Sequence, residues 1–157
     1  ERLALNGKNG SGKSSLLKLI LGEDIKKTGT ISIGSGLIIS YVSQDTSHLS
    51  GTLSDYASQC RIDESLFKAI LRKLDFERIQ FTKDMAQFSG GQKKKVLIAK
   101  SLCEQAHLYL WDEPLNFIDI YSRMQIEQLI LDFRPTMIFV EHDRAFRETI
   151  ATKTLEL

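Results

Sequence analysis

The sequence has 157 residues, which is long enough for one domain with a hydrophobic core. It is 42% hydrophobic and 26% charged, as in ordinary globular proteins, and its net charge of +1 neither requires nor excludes a nucleic-acid partner. No apolar run is longer than a β-strand and no signal peptide is visible, so we expect a cytoplasmic protein without a membrane span. Cys60 and Cys103 lack the spacing of a metal site and are interpreted as reduced thiols.

A glycine-rich loop follows the first predicted strand, Arg2–Leu5, and precedes apolar residues at helical spacing in 14–21. Its pattern G-x-x-x-x-G-K-S is typical of a phosphate-binding P-loop, and it consists of Gly7, Lys8, Asn9, Gly10, Ser11, Gly12, Lys13 and Ser14. Glycines let several backbone N–H groups point at one phosphate. Lys13 would add positive charge near the β- and γ-phosphates, and the Ser14 hydroxyl would ligate Mg²⁺. The alternative, an accidental glycine-rich turn, is disfavoured by the flanking strand and helix.

Two strands are predicted after this helix. Thr30–Gly34 alternates like a half-exposed strand, whereas Leu37–Val42 is more continuously apolar, which favours a central position in a parallel sheet. Gln44 follows the second strand. Groups that contact ligands gather at the carboxyl ends of strands in open α/β sheets, so Gln44 is a candidate for the site.

Residues 45–88 predict helices and no strand. Thr52 and Asp63 are placed to cap two short helices, and Leu66, Ile70 and Leu74 lie at the spacing of an apolar stripe in the second. We interpret this region as a helical subdomain inserted between the two parts of an α/β core, residues 1–44 and 89–157.

A second candidate anion site lies at the start of the helix that runs to Cys103. It consists of a hydroxyl, backbone amides and a helix N-terminus, and its residues are Ser89, Gly90, Gly91 and Gln92. The lysine run 93–95 that follows has two interpretations, a solvated helix face, which is favoured, or a nucleic-acid patch.

Two more strands are predicted to end in polar residues. The run His107–Trp111 ends in Asp112 and Glu113, whose side chains must point in different directions because successive residues of a strand alternate. One carboxylate can then serve a magnesium shell while the other faces an attacking water; a merely solvated strand end is the alternative. The strand Thr136–Val140 precedes His142, so Gln44, Asp112 and His142 are predicted to meet at one edge. Helices are predicted over 119–131 and 144–150, and a final strand over 154–157.

These motifs, in this order, resemble the nucleotide-binding domain of an ABC ATPase along the whole chain. Ser89 to Gln92 match the signature motif, with Phe88 where leucine is commoner; Leu108–Glu113 resembles the Walker B strand and Leu115–Asp119 the D-loop. The sequence of residues 112–119 is similar to the D-E-P-x-N-x-x-D pattern of ABC-F proteins. The sequence around Trp111, in 116–121 and in 141–144 resembles the second ATPase domain of bacterial antibiotic-resistance ABC-F proteins. That group protects ribosomes against lincosamides, streptogramin A and pleuromutilins.

The resemblance implies a P-loop NTPase fold and a role for each matching residue. The loop from Asn9 to Ser15 would wrap the phosphates of ATP. Ser14 and Gln44 would ligate Mg²⁺, and Asp112 would hold the metal shell through water. Glu113 would polarise the attacking water, and His142 would contact the γ-phosphate.

The remaining roles involve partners. Ser89, Gly90, Gly91 and Gln92 would bind a nucleotide held by a second ABC ATPase domain of the same full-length chain, and Asp119 would belong to the D-loop. The implied partners are ATP, that second domain and the ribosome, without a membrane domain.

One departure from the family concerns the start of the chain. The family stacks adenine on an aromatic residue that lies upstream of the P-loop among antiparallel strands, and this chain begins after that point. We therefore interpret 1–157 as a single, N-terminally truncated ATPase domain. Three alternatives stay open: the ATPase subunit of a membrane transporter, a fragment that binds ATP without turnover, and a DNA-repair ATPase, for which 45–88 is too short to hold the usual coiled coil.

Overall fold

The computed structural model describes residues 1–157 as a parallel sheet with helices on both faces. The strands are β1 (Arg2–Asn6), β2 (Ile39–Val42), β3 (Leu108–Asp112), β4 (Met137–Val140) and β5 (Lys153–Glu156). The helices are α1 (Lys13–Ile20), α2 (Leu53–Cys60), α3 (Glu64–Lys73), α4 (Gly90–Cys103), α5 (Ile120–Phe133) and α6 (Arg144–Ile150). Short 3-10 turns occupy Arg78–Thr82 and Met85–Gln87.

The sheet order is β2-β3-β4-β1-β5, and every neighbouring pair is parallel. Val140 is level with Leu5 on one side and with Asp112 on the other. The carboxyl ends of the three central strands therefore lie side by side at one edge of the sheet, which is where open α/β sheets bind ligands. The predicted α/β class is confirmed.

Two strand predictions were wrong. Residues 30–34 take part in no strand pairing, and Ile33 is exposed. The strand that precedes Gln44 lies at the edge of the sheet instead of its centre, with β3 as its only neighbour. The apolar run misled because Leu37 and Ile38 lie outside β2 and are exposed, while within β2 the burial alternates as in a strand with one covered face.

The hydrophobic core has two parts on opposite faces of the sheet. A small cluster under α1 contains Leu5, Leu17, Leu110 and Val140. The larger cluster joins the sheet to α4 and α5 and continues into the helical region of 45–88. There α3 buries Phe67, Ile70 and Leu71 and leaves the predicted core residue Leu66 exposed. No helix of the structure is both long enough and apolar enough to cross a membrane.

A chain of polar side chains crosses this core between α4 and the sheet. The Trp111 indole N–H donates to the Ser101 hydroxyl at 2.9 Å, and the hydroxyls of Ser101 and Ser40 lie 2.6 Å apart. Ser40 also donates to Glu104 at 3.0 Å. Buried polar groups of this kind stabilise a fold only while each keeps its partner.

Ser101→Ala should therefore destabilise the domain more than its small volume change suggests. The substitution leaves the buried Trp111 indole N–H without an acceptor, at a cost of about 1–3 kcal/mol. The free energy of unfolding, measured with urea, should fall by that amount, whereas Ser58→Ala on the exposed face of α2 should leave it nearly unchanged. Equal values for the two variants would contradict a stabilising role for the Ser101 hydrogen bond.

Candidate active site

The loop between β1 and α1 forms one wall of the site. Gly10 and Gly12 have positive φ angles of 80° and 97°, a conformation that favours glycine and that bends the backbone around the space in front of α1. Lys13 begins α1 and is 8% exposed. Its ammonium donates to the carbonyls of Gly7 at 2.8 Å and Lys8 at 2.9 Å. The charge is thus held beside the unpaired N–H groups at the N-terminus of α1, an arrangement that suits an anion.

The opposite wall carries Glu113 and His142, which reach the same cavity from the ends of β3 and β4. This cavity has a volume of about 430 Å³ and is lined by Asn9, Gly10, Gly12, Lys13, Ser14, Ser15, Glu113 and His142. None of these side chains is hydrophobic. The cavity is thus suited to a charged, hydrated group such as a polyphosphate.

Glu113 is held in a defined position by its neighbours. Its Oε1 lies 3.0 Å from Nε2 of His142, and its Oε2 accepts a hydrogen bond from the Asn116 side chain at 3.1 Å. Its φ angle of 49° is unusual for a residue with a side chain, and its backbone N–H bonds to the Val140 carbonyl at 2.9 Å. A carboxylate fixed in this way at the mouth of a polar cavity can orient and polarise a water molecule.

Ser14, Gln44 and Asp112 meet beside this cavity. The Gln44 amide nitrogen lies 3.3 Å from the Ser14 hydroxyl and 3.0 Å from Oδ1 of Asp112, which is 2% exposed. A hydroxyl, a carboxylate and, after a 180° rotation of the amide, an amide oxygen are the hard oxygen ligands that Mg²⁺ prefers. No group of three or more His, Cys, Asp or Glu side chains is arranged to hold a metal. The donors present therefore fit a Mg²⁺ that takes its other ligands from water and phosphates.

The predicted second anion site lies in a different pocket, of about 300 Å³, at the start of α4. Ser89 caps this helix by accepting from Gln92 N–H at 3.2 Å, and the Gln92 side chain accepts from Ser89 N–H at 2.9 Å. Phe117 covers both glycines: its ring lies on Gly90, and its carbonyl leaves no room for a Cβ at Gly91. None of these residues lines the cavity of the P-loop.

Asp119 lines the pocket at the start of α4 and caps α5. Its carboxylate contacts the Lys95 ammonium at 2.8 Å and accepts hydrogen bonds from the backbone and hydroxyl of Ser122. Partial burial raises the pKa of Asp119, but the bonds from Lys95 and Ser122 outweigh it and lower the pKa to about 2. This carboxylate is therefore charged throughout the physiological range.

Both interpretations of the lysine run were wrong for two of its three members. Lys94 is 1% exposed and Lys95 is 7% exposed, so neither forms a solvated face or a nucleic-acid patch. α4 passes between the sheet and the helical region, and it is buried from Lys94 to Ala99. The Lys95 ammonium binds Asp119, whereas the Lys94 ammonium donates to the backbone carbonyls of Ser43 and Gln44.

Glu141 is a further residue of the site that the sequence interpretation did not single out. Its carboxylate is 6% exposed and accepts from the N–H groups of His142 at 2.8 Å, Asp143 at 3.3 Å and Leu115 at 3.1 Å. It therefore ties the loop that carries His142 to the loop that follows Glu113. The only signal in the sequence was an acidic residue directly after a buried strand. That signal does not distinguish a carboxylate that binds backbone N–H groups from one that binds a ligand.

Comparison with known proteins adds family information to this geometry. Residues 1–116 match the family model described as "ABC transporter". The chain is 31% identical over its whole length to ABC transporter F family member 2 of Arabidopsis thaliana and covers 24% of that protein. It is 29% identical, over 99% of its length, to the ribosome protection protein VmlR of Bacillus subtilis (strain 168), of which it covers 29%. Among solved structures, "RNase-L Inhibitor" superposes on 99% of the chain with a TM-score of 0.84 at 26% identity, and the chain covers 32% of it.

Glu141→Ala should destabilise the domain, because three backbone N–H groups lose a buried acceptor. We expect the free energy of unfolding to fall by about 1–3 kcal/mol. The matched control is Glu148→Ala, which removes an exposed ion pair with Arg144 and should leave the free energy of unfolding nearly unchanged, because water screens such a pair. Denaturant unfolding of both variants measures the difference, and similar losses would show that the Glu141 carboxylate does not hold the two loops.

Proposed function

This chain belongs to the ABC transporter family of nucleotide-binding domains, and we propose that it binds and hydrolyses ATP as one of two ATPase domains of an ABC-F protein that acts on the ribosome. Members of this family generally hydrolyse ATP. The assignment to the ABC-F group is supported by the similarity to an F family member. The finer assignment to the ribosome is supported by the similarity to a ribosome protection protein. Since the chain spans less than a third of each of these relatives, the activity of the whole protein is part of the proposal.

The observation that carries hydrolysis is the position of Glu113 across the cavity from the P-loop. The P-loop amides and the N-terminus of α1 would bind the β- and γ-phosphates. Lys13 can turn its ammonium from its own loop's carbonyls towards a phosphate in the same cavity. Positioning and charge stabilisation of this kind supply most of the catalysis of phosphoryl transfer.

Glu113 would place the attacking water. Oε1 is fixed by His142 and Oε2 by Asn116, so the carboxylate cannot swing away as water approaches. The His142 ring is more than half exposed at the cavity, which leaves it free to contact a γ-phosphate. When bound, Mg²⁺ held by Ser14, Gln44 and Asp112 would neutralise charge on the phosphate oxygens.

We propose further that the site is completed by a second domain. Ser89 and Gly91 line their own pocket, separate from the P-loop cavity, and Gly90 lies between them. A helix N-terminus flanked by two glycines can approach a phosphate closely. We infer that these residues face the nucleotide of a partner domain, whose corresponding residues close the cavity described here. ATP between the two domains would then act as a switch.

The proposed biological role is antibiotic resistance of the lincosamide, streptogramin A and pleuromutilin type. Its support is the similarity of the residues around Trp111, of 116–121 and of 141–144 to resistance ABC-F proteins, together with the relative named for ribosome protection.

Glu113→Gln should separate binding from turnover. The amide keeps the shape of the side chain but cannot take up a proton from water, so kcat should fall by about two to four orders of magnitude. The affinity for ATP should stay within about threefold, because the P-loop is untouched. Phosphate release and ATP titration of the full-length protein give both values, with Glu148→Gln on the exposed face of α6 as control. Unchanged turnover would remove Glu113 from the reaction, and binding without turnover in the wild type would identify a non-hydrolysing module.

Lys13→Ala in the full-length protein tests the link between ATP and the ribosome. Loss of the ammonium removes charge from the phosphate site, so ATP-dependent sedimentation with ribosomes should be lost. Protection of growing cells against the three drug classes should be lost with it. Lys73→Ala, at the exposed end of α3, should behave as wild type. A Lys13→Ala protein that still sediments with ribosomes and protects cells would contradict the proposed role.

A further inference from the structure

Lys94 is a buried cation that the proposed reaction does not use. Its side chain is 1% exposed, although lysine is almost never fully buried without a partner. The ammonium donates to the backbone carbonyls of Ser43 at 2.8 Å and Gln44 at 3.3 Å. No carboxylate lies within ion-pair distance of it. The direct partners of this charge are therefore carbonyl groups of the segment that carries Gln44.

The electrostatic surroundings explain how the charge is kept. Burial lowers the pKa of Lys94, and the carboxylates of Asp112, Glu113, Glu141 and Asp45 oppose that shift. Four acidic groups at the same edge of the sheet repel one another and favour a cation beneath them. Lys94 thus lies near the carboxylates of the candidate site without lining the cavity of the P-loop.

Gln44 contacts both Lys94 and the candidate magnesium ligands. The Gln44 backbone carbonyl accepts from Lys94, while its side-chain amide lies against Ser14 and Asp112. Through these contacts, a shift of the ammonium would move the Gln44 backbone and, with it, the side-chain amide. Lys94 belongs to α4, whose first residues line the other pocket together with Ser89.

We propose that Lys94 is a positioning residue that holds Gln44 against Ser14 and Asp112, and that it links this side chain to the start of α4. This inference rests on the proposed ATPase function. The N-terminus of α4 faces one nucleotide, while Lys94, in the next turn of the same helix, positions a residue of the other. Movement of α4 when a partner's nucleotide binds is thereby transmitted to the magnesium ligands of this domain.

Lys94→Met in the full-length protein tests the role, because methionine keeps an unbranched apolar stem and removes the donors. The first readout is the gain in ATP affinity that Mg²⁺ provides, measured by calorimetry with and without the ion. We expect this gain to shrink by about tenfold, as for losses of groups that orient metal ligands. The Mg²⁺ concentration for half-maximal ATP hydrolysis should rise correspondingly. Lys100→Met, further along α4, is the control and should change neither value.

A double-mutant cycle with Gln44→Ala separates positioning from a general structural role. If Lys94 acts through Gln44, Lys94→Met should have no further effect on the Mg²⁺ dependence once Gln44 is alanine. Additive effects would overturn the proposal, as would an unchanged Mg²⁺ dependence in Lys94→Met. Lys94→Gln, a smaller change that keeps a donor, should give an intermediate loss, and it replaces methionine in the cycle if that variant does not fold. A wild-type protein without Mg²⁺-dependent ATP binding would instead overturn the proposed function itself.

Discussion

The parallel pairing of β1, β4 and β3 is the constraint on which the candidate site depends. Val140 is level with both Leu5 and Asp112, so the P-loop, His142 and the two carboxylates begin at the same height of the sheet. Parallel strands need long crossovers, and here those crossovers are the helices that bury the sheet on both faces. The groups that meet at the cavity come from distant parts of the chain, so the site exists only when the whole sheet has formed.

Several carboxylates lie close together at this edge of the sheet, and three arrangements stabilise their negative charge. The Asp112 carboxylate is buried, and it accepts a hydrogen bond from the Gln44 amide. Glu141 uses its carboxylate entirely on backbone N–H groups. Lys94 supplies a cation from below. Each arrangement costs free energy of desolvation that hydrogen bonds offset. What remains is Glu113 as the one carboxylate of this group that faces the cavity of the P-loop.

Much of this architecture could be predicted from the sequence, because strand exits and helix caps have local signatures. Thr52 and Asp63 cap helices as their short-range sequence patterns predict. The order of strands in the sheet could not be read in this way, since an apolar run does not tell an edge strand from a central one. Lys94 was misjudged because polarity predicts exposure, whereas its burial follows from two layers that close over α4 and a backbone that offers acceptors. The role of Glu141 depends on a loop from another part of the chain, which no local pattern describes.

The contact of Phe117 with the paired glycines has a consequence for how this protein can vary. The loop after Glu113 is anchored at Leu115 by Glu141, at Phe117 by Gly91 and at Asp119 by Lys95. Surface loops usually accept insertions and deletions because their length is free. Here the anchors fix the number of residues from Glu113 to the next helix. A single inserted residue would have to displace either Glu113 or the start of α5, so this exposed segment has a fixed length, as an internal strand does.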